Sequence, residues 1–327
     1  MKLVWLSGWA ALLALAAGCR APAPKLVAVE KISGSVGFYD LEGRRVADLK
    51  VGVHPHEMVF SPDRRFLYVT NNGILWMTDP GQGGNTISVI DLTARRVAGA
   101  IDLGNSRRPH GIDIDPSTGD LVATTENPSG LLLIDPARRT VLRRYDVHGQ
   151  APHMVLVGPG RVAYASNTNS GDVAAVDLNS GSVVSIPVGA RPQGEVFSHD
   201  QKTLFVTCAG SDWIAEIDLA TNRRTGEIHT GQGPVRVALT PDGGTLVYAL
   251  QQGKAVGFAD VKTGREIRQT PLTGPPVSLT LSADGKEAYS AVQEQDKVFV
   301  ISLAGREVVK ILQFPKGAGP DPVLPLR

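Results

Sequence analysis

The chain holds only two cysteines in 327 residues, Cys19 and Cys208, so no disulfide framework supports it. It has no Cys-x-x-Cys-His, which excludes covalent attachment of a c-type haem. It also lacks surplus charge. A formal net charge of +1 gives no global field toward nucleic acid, and nucleic-acid partners are not expected. Enzyme signatures are missing as well: there is no Gly-x-Ser-x-Gly, no His-Glu-x-x-His and no phosphate-cradling loop ahead of a helix. Gly81, Gly83 and Gly84 fall in a loop between strands and do not form one. What the chain does have is a globular composition, 42% hydrophobic and 20% charged. Its 36 glycines and 22 prolines recur at intervals, the mark of many tight turns between short strands.

The N-terminus reads as a targeting segment. Lys2 precedes an uncharged apolar stretch from Leu3 to Ala17, too short for a comfortable membrane span, and then the small residues up to Gly18. Leu15-Ala16-Ala17-Gly18-Cys19 resembles a bacterial lipobox, with the leucine one place earlier than usual. That resemblance implies a signal peptide over residues 1–18 and a lipidated Cys19 as the first mature residue. Residues 19–25 read as a tether and 26–327 as the folded domain. Arg20, where an Asp would alter sorting, implies a periplasm-facing outer-membrane lipoprotein if the source is Gram-negative, and otherwise an extracytoplasmic lipid-anchored protein. The anchor would be the only membrane attachment.

The remainder repeats. HPHEMVFSPDRRFLYVTN from His54 aligns with segments starting at Arg108, Ala151, Arg191, Gly233 and Pro275. Each contains a proline, an alternating apolar strand, a turn and a second apolar strand, which is a hairpin pattern. A second hairpin follows each, its first strand ending at Asp91, Asp135, Asp177, Asp218, Asp260 or Ser302, at spacings of 44, 42, 41, 42 and 42 residues. Four strands per 40–45 residues is the size of a propeller blade. Seven outer hairpins face only six inner ones, and Gly317-Ala318-Gly319-Pro320 matches Gly231-Gln232-Gly233-Pro234. The expectation is an all-β, seven-bladed β-propeller with four strands per blade. Residues 320–326 supply the missing inner strand of the first blade and so remove exposed sheet edges.

Leu67-Tyr68-Val69-Thr70-Asn71 after Phe60-Ser61-Pro62-Asp63, with weaker copies at Leu204–Thr207 and Leu246–Ala249, resembles the YVTN-type propeller repeat family over residues 26–326. Such repeats occur in surface-layer proteins, in periplasmic binding or scaffold proteins, in haem-binding propellers of the nitrite reductase type, and in lyases and lactonases. The resemblance therefore implies a fold and leaves the function open.

Function must come from a site. In this architecture the residue after each aligned proline lines the channel mouth: His56, His110, His153, Gln193, Val235 and Val277, joined by Asp321. Three histidines on consecutive blades can bind a transition metal or haem, since imidazole is a common metal ligand, or contact a ligand directly. His54, Arg108 and Arg191 lie just before inner strands, and the arginines suit a carboxylate or phosphate. Trp76, in the long loop over residues 71–85, and Trp213 are candidates for the rim. The leading expectation is a non-enzymatic envelope module that binds a small ligand or partner protein. A metal- or haem-handling protein and a channel-mouth lyase or lactonase are the alternatives.

Overall fold

A computed structural model describes residues 23–326; the expected signal segment, Cys19 and the start of the expected tether lie outside the described residues. The described chain forms seven four-stranded antiparallel sheets. Blades two to seven each use four consecutive strands, as in blade two with Pro55–Phe60, Phe66–Asn71, Thr86–Asp91 and Arg96–Asp102. Blade one combines Leu26–Glu30, Ser35–Tyr39 and Arg45–Lys50 with the C-terminal strand Pro320–Pro325. That strand pairs Val323 with Ala28 and Pro325 with Leu26, so the ring closes as the repeat count requires.

Burial along the strands explains the sequence pattern. Middle strands such as Leu26–Glu30 and Ser35–Tyr39 are buried at every residue, because neighbouring blades cover both faces. Outer strands such as Glu307–Gln313 alternate and are mostly exposed. The core therefore lies between blades: Tyr289, Val298 and Phe314 of blade seven pack with Leu26, Tyr39 and Val323 of blade one.

Antiparallel order gives the propeller two unlike ends. The mouth carries the starts of the inner strands and the loops between second and third strands. The base carries the tight turns and both described ends, Ala23 and Leu326. The amide of Leu326 donates to the carbonyl of Lys25 at 2.7 Å there. Among the described residues no helix is long and apolar enough to cross a membrane.

Val323 is buried in the closing cluster, whereas Val309 on an outer strand is exposed. Val323→Asp is expected to cost about 3 kcal/mol or more in urea denaturation, and Val309→Asp within about 0.5 kcal/mol. Equal small losses would show that the closing strand contributes little.

Candidate functional site at the channel mouth

Six of the seven inner strands enter through a residue in the left-handed region. His54, Arg108, Ala151, Arg191, Gly233 and Gly319, each immediately before a proline, have φ of 43°, 54°, 54°, 54°, 67° and 61°. Two residues later the ladder to the second strand is interrupted in blades two to five, between Pro55 and Met58, Pro109 and Ile112, Pro152 and Val155, and Pro192 and Glu195. Such irregularities re-aim side chains. Here they turn His56, His110, His153 and Gln193 into the channel.

A hydroxyl on the second strand satisfies the interrupted ladder. Thr70 Oγ1 accepts the Glu57 amide at 3.0 Å and donates to the His110 carbonyl of the next blade at 2.8 Å. Thr124 repeats this between Gly111 and His153, at 2.8 Å to each. Ser166 does so between Met154, at 3.3 Å, and Gln193, at 2.6 Å. The threonine of the Leu-Tyr-Val-Thr-Asn motif thus joins one blade to the next.

The result is a row of three imidazoles. His56 and His110 have ring centroids 4.0 Å apart, and His110 and His153 3.9 Å, each pair tilted by 36°. All three are buried, and their Nδ1 atoms have no hydrogen-bond partner. His56 Nδ1 lies 3.4 Å from Asp321 Oδ2 without making a hydrogen bond. Burial holds all three well below the usual imidazole range, and neighbouring cations and imidazoles add to the effect. They are neutral near physiological pH.

Two buried ion pairs enclose the row. Arg236 of blade six reaches Glu57 of blade two at 2.6 Å. These blades are not neighbours in the ring, so the side chain crosses the channel. Lys31 lies 3.6 Å from Asp321 and 5.5 Å from the centre of the Trp76 ring. Burial lowers the Lys31 pKa, with Asp321 opposing, and pushes Glu57 up to about 7, with Arg236 opposing. Further down the inner strands, burial raises Asp113 to about 6 and Glu195 well above the usual carboxylate range.

Above the histidines is a cavity of about 410 Å³. All seven residues aligned after the prolines line it, from His56 to Asp321, together with Trp76 and Arg191. His54, Arg108 and Trp213 do not. His54 Nδ1 is 3.1 Å from the Lys31 carbonyl. Arg108 donates to the carbonyls of Met77, Asp79 and Gly81 at 3.3, 2.9 and 2.8 Å, and so fixes the Trp76 loop. Trp213 Nε1 donates to the Val188 carbonyl at 3.0 Å between blades four and five.

Sequence reasoning missed Lys31, Glu57, Arg236 and Gln293. Glu57 and Arg236 occupy a repeat position held by Gly111, Gly194 and Ser278 elsewhere, and two opposite charges there were an available signal. Nothing in the sequence marks Gln293, a buried cavity residue whose amide nitrogen and oxygen are both unpaired. Among the described residues no group of three or more His, Cys, Asp or Glu side chains is placed to hold a metal ion. Stacking sets the imidazoles side by side instead of converging them on a point.

Arg236→Met strands the Glu57 carboxylate and is expected to cost about 3 kcal/mol in urea denaturation; adding Glu57→Gln should recover most of it. A double variant no better than the single would disprove the cross-channel pairing. The histidines give a pH signature. An unfolded chain takes up protons below 6.5 that the folded imidazoles refuse, so they subtract stability as pH falls. Relative to the parent, His110→Gln should therefore gain up to about 1.4 kcal/mol per pH unit below that point. Denaturation on either side of pH 6.5 checks this.

A family model described as outer membrane protein assembly factor BamB, PQQ_2, matches residues 83–318. No curated protein matches the chain. Among solved structures, a functionally unknown protein from Desulfotomaculum acetoxidans DSM 771 aligns with a TM-score of 0.77 at 13% identity, covering 93% of this chain and 99% of that one. Kuenenia stuttgartiensis hydrazine synthase aligns at 0.67 and 19%, covering 90% and 99%. Dihydro-heme d1 dehydrogenase NirN in complex with DHE aligns at 0.67 and 16%, covering 90% of this chain. The match spans 64% of the NirN chain, less than two thirds of it. At these identities the likeness is one of fold.

Proposed function

The chain belongs to the PQQ_2 family of outer membrane protein assembly factor BamB, and from that premise we propose that it is an envelope-held binding protein whose channel mouth takes a small polar ligand bearing one acidic group. The lipobox-like sequence at Cys19 supports attachment by acyl chains, and the mature propeller then works outside the cytoplasm.

The observation that carries this reading is unused hydrogen-bonding capacity in the channel-mouth cavity. Buried polar groups are ordinarily paired, yet the Nδ1 atoms of His56, His110 and His153 and both amide atoms of Gln293 are not. The cavity of about 410 Å³ is the size of a small-molecule site. Its charge pattern selects the ligand. Lys31 and Arg236 are matched by Asp321 and Glu57, and Glu126 by Arg108 at 3.4 Å, whereas the Arg191 guanidinium is exposed at the rim without a hydrogen-bond or ion-pair partner among the described residues. One acidic group would pair with it, and neutral imidazoles and glutamines would hold the polar remainder. Trp76 and Met77 line the same cavity and supply apolar contact.

A second reading places a haem-type cofactor on the same histidines. The row of imidazoles favours it, and the structurally similar NirN is in complex with DHE. Among the described residues the stacked rings do not form a three-ligand metal centre, so a single imidazole would hold such a group.

A thermal-shift screen of small monocarboxylates and phosphate monoesters, with an absorption spectrum of the purified protein, tests both. Stabilisation by one such class is expected, with affinity falling about tenfold or more in Arg191→Gln. Ligands that bind Arg191→Gln equally well, or a preference for uncharged or cationic compounds, would overturn the first reading. A haem band lost in His110→Gln would establish the second.

A further inference from the structure

We infer that the base of blades two and three is a docking surface for an anionic phospholipid leaflet, holding the propeller base-down with its histidine mouth turned away from the membrane. The inference rests on the lipid-anchor reading of Cys19. The first described residues, Ala23 and Pro24, lie at the base. They line a crevice of about 280 Å³ with Phe38, Phe60, Arg64 and Arg95. Only three residues separate Ala23 from Cys19, a reach of about 14 Å when extended. An acylated Cys19 therefore delivers this end of the molecule, and not the mouth, to the membrane.

The surface delivered is basic. Three neighbouring turns carry Arg64 and Arg65, Arg95 and Arg96, and Arg138 and Arg139, against Asp63, Asp91 and Asp135. Asp120 and Glu42 lie on adjoining turns. Two features put the positive charge outermost. First, two of the three carboxylates are turned inward and accept turn amides, Asp91 from Thr93 and Ala94 at 3.0 and 2.9 Å and Asp135 from Arg138 at 2.8 Å, while Asp63 is exposed. Asp91 and Asp135 pair with Arg65 and Arg138 at 3.9 and 3.1 Å, yet their side chains are 10% and 15% exposed against 61% and 80% for the two arginines, so the cation is the outer member of each pair. Second, Arg64, Arg95 and Arg139 take left-handed turn positions, with φ of 55°, 48° and 58°. Equivalent turns of other blades use Gly43, Gly119, Gly181, Gly243 and Gly264 there, with φ of 78°, 79°, 86°, 71° and 63°, and otherwise Gln201, Asn222 and Arg306, with φ of 54°, 52° and 52°. An arginine at such a position is strained where glycine is not, so the repeat retains a cation at a conformational cost. Three of the four arginines so placed lie in blades two and three, on one side of the tether; the fourth, Arg306, lies in blade seven. A basic patch beside an acyl anchor is the pairing of signals that makes membrane attachment stable, at about 1 kcal/mol per cation near an anionic surface.

The test separates the face from the anchor. Mature Cys19→Ser protein, which carries no acyl group, is co-sedimented with phosphatidylglycerol-containing vesicles and with pure phosphatidylcholine vesicles. Salt-sensitive binding to the first alone is expected. It should fall about tenfold or more in Arg65→Gln/Arg95→Gln/Arg96→Gln/Arg138→Gln. It should be retained in Arg223→Gln/Lys262→Gln/Arg265→Gln/Lys286→Gln, which removes the same charge from the base of blades five to seven. Equal loss in both variants, or no preference for the anionic vesicles, overturns the docking surface. Orientation is then read from Trp76 and Trp213, both at the mouth end, by energy transfer to dansyl-labelled lipid in vesicles bearing the chain coupled through Cys19. Weak transfer on anionic vesicles that rises in the blade-two and blade-three variant supports the base-down arrangement; strong transfer from the parent overturns it. The mass of the native mature chain reports separately whether Cys19 is acylated, so the anchor reading can fail while the docking surface stands.

Discussion

A single hydroxyl on the second strand organises the inner ring in blades two to four. Where the inner strand breaks register, a backbone amide loses its ladder partner. Thr70, Thr124 and Ser166 accept that amide and then donate to a carbonyl of the next blade. Left unpaired, each buried group would cost about 1–3 kcal/mol. The same contact permits the break that aims the histidines inward and sets the spacing from blade to blade. The 4 Å stacking of the imidazoles follows from it, because equivalent residues on successive blades are held at equivalent heights.

Charge pairing shapes the site that this ring surrounds. A propeller channel can run through the molecule, but Arg236 spans it to Glu57 and gives the histidine cavity a floor. In that buried setting an imidazole is held neutral more easily than charged, and three neighbours reinforce one another. The mouth therefore offers neutral hydrogen-bonding groups with charge kept to matched pairs and to Arg191 at the rim.

The two ends of the propeller differ for a topological reason. Long loops and inner-strand starts collect at the mouth, so ligand contacts can vary there without disturbing the ladder. The base carries only tight turns and the described termini, which makes it the end where attachment and charge can be placed. Solved proteins share this fold at 13%, 19% and 16% identity, a likeness of fold that leaves the site to be argued from its own residues.

Blade number, ring closure and the channel-facing positions were legible in the sequence because they follow from period. Alternation names the strands, the turn residues name their ends, and the spacing of Asp91 to Ser302 names the unit. His56, His110 and His153 could be placed together by counting from a proline. Period says nothing about which side chains meet across a ring. Glu57 and Arg236 are 179 residues apart and touch only because seven blades bring non-adjacent strands to one axis. Whether Arg108 faced a ligand or tied down the Trp76 loop depended on how that loop folded back, which no repeat encodes. The sequence by itself determined the scaffold, since local periodicity and turn chemistry are short-range. Only the tertiary structure decided the chemistry of the mouth, because burial, stacking and ion pairing are properties of the closed ring.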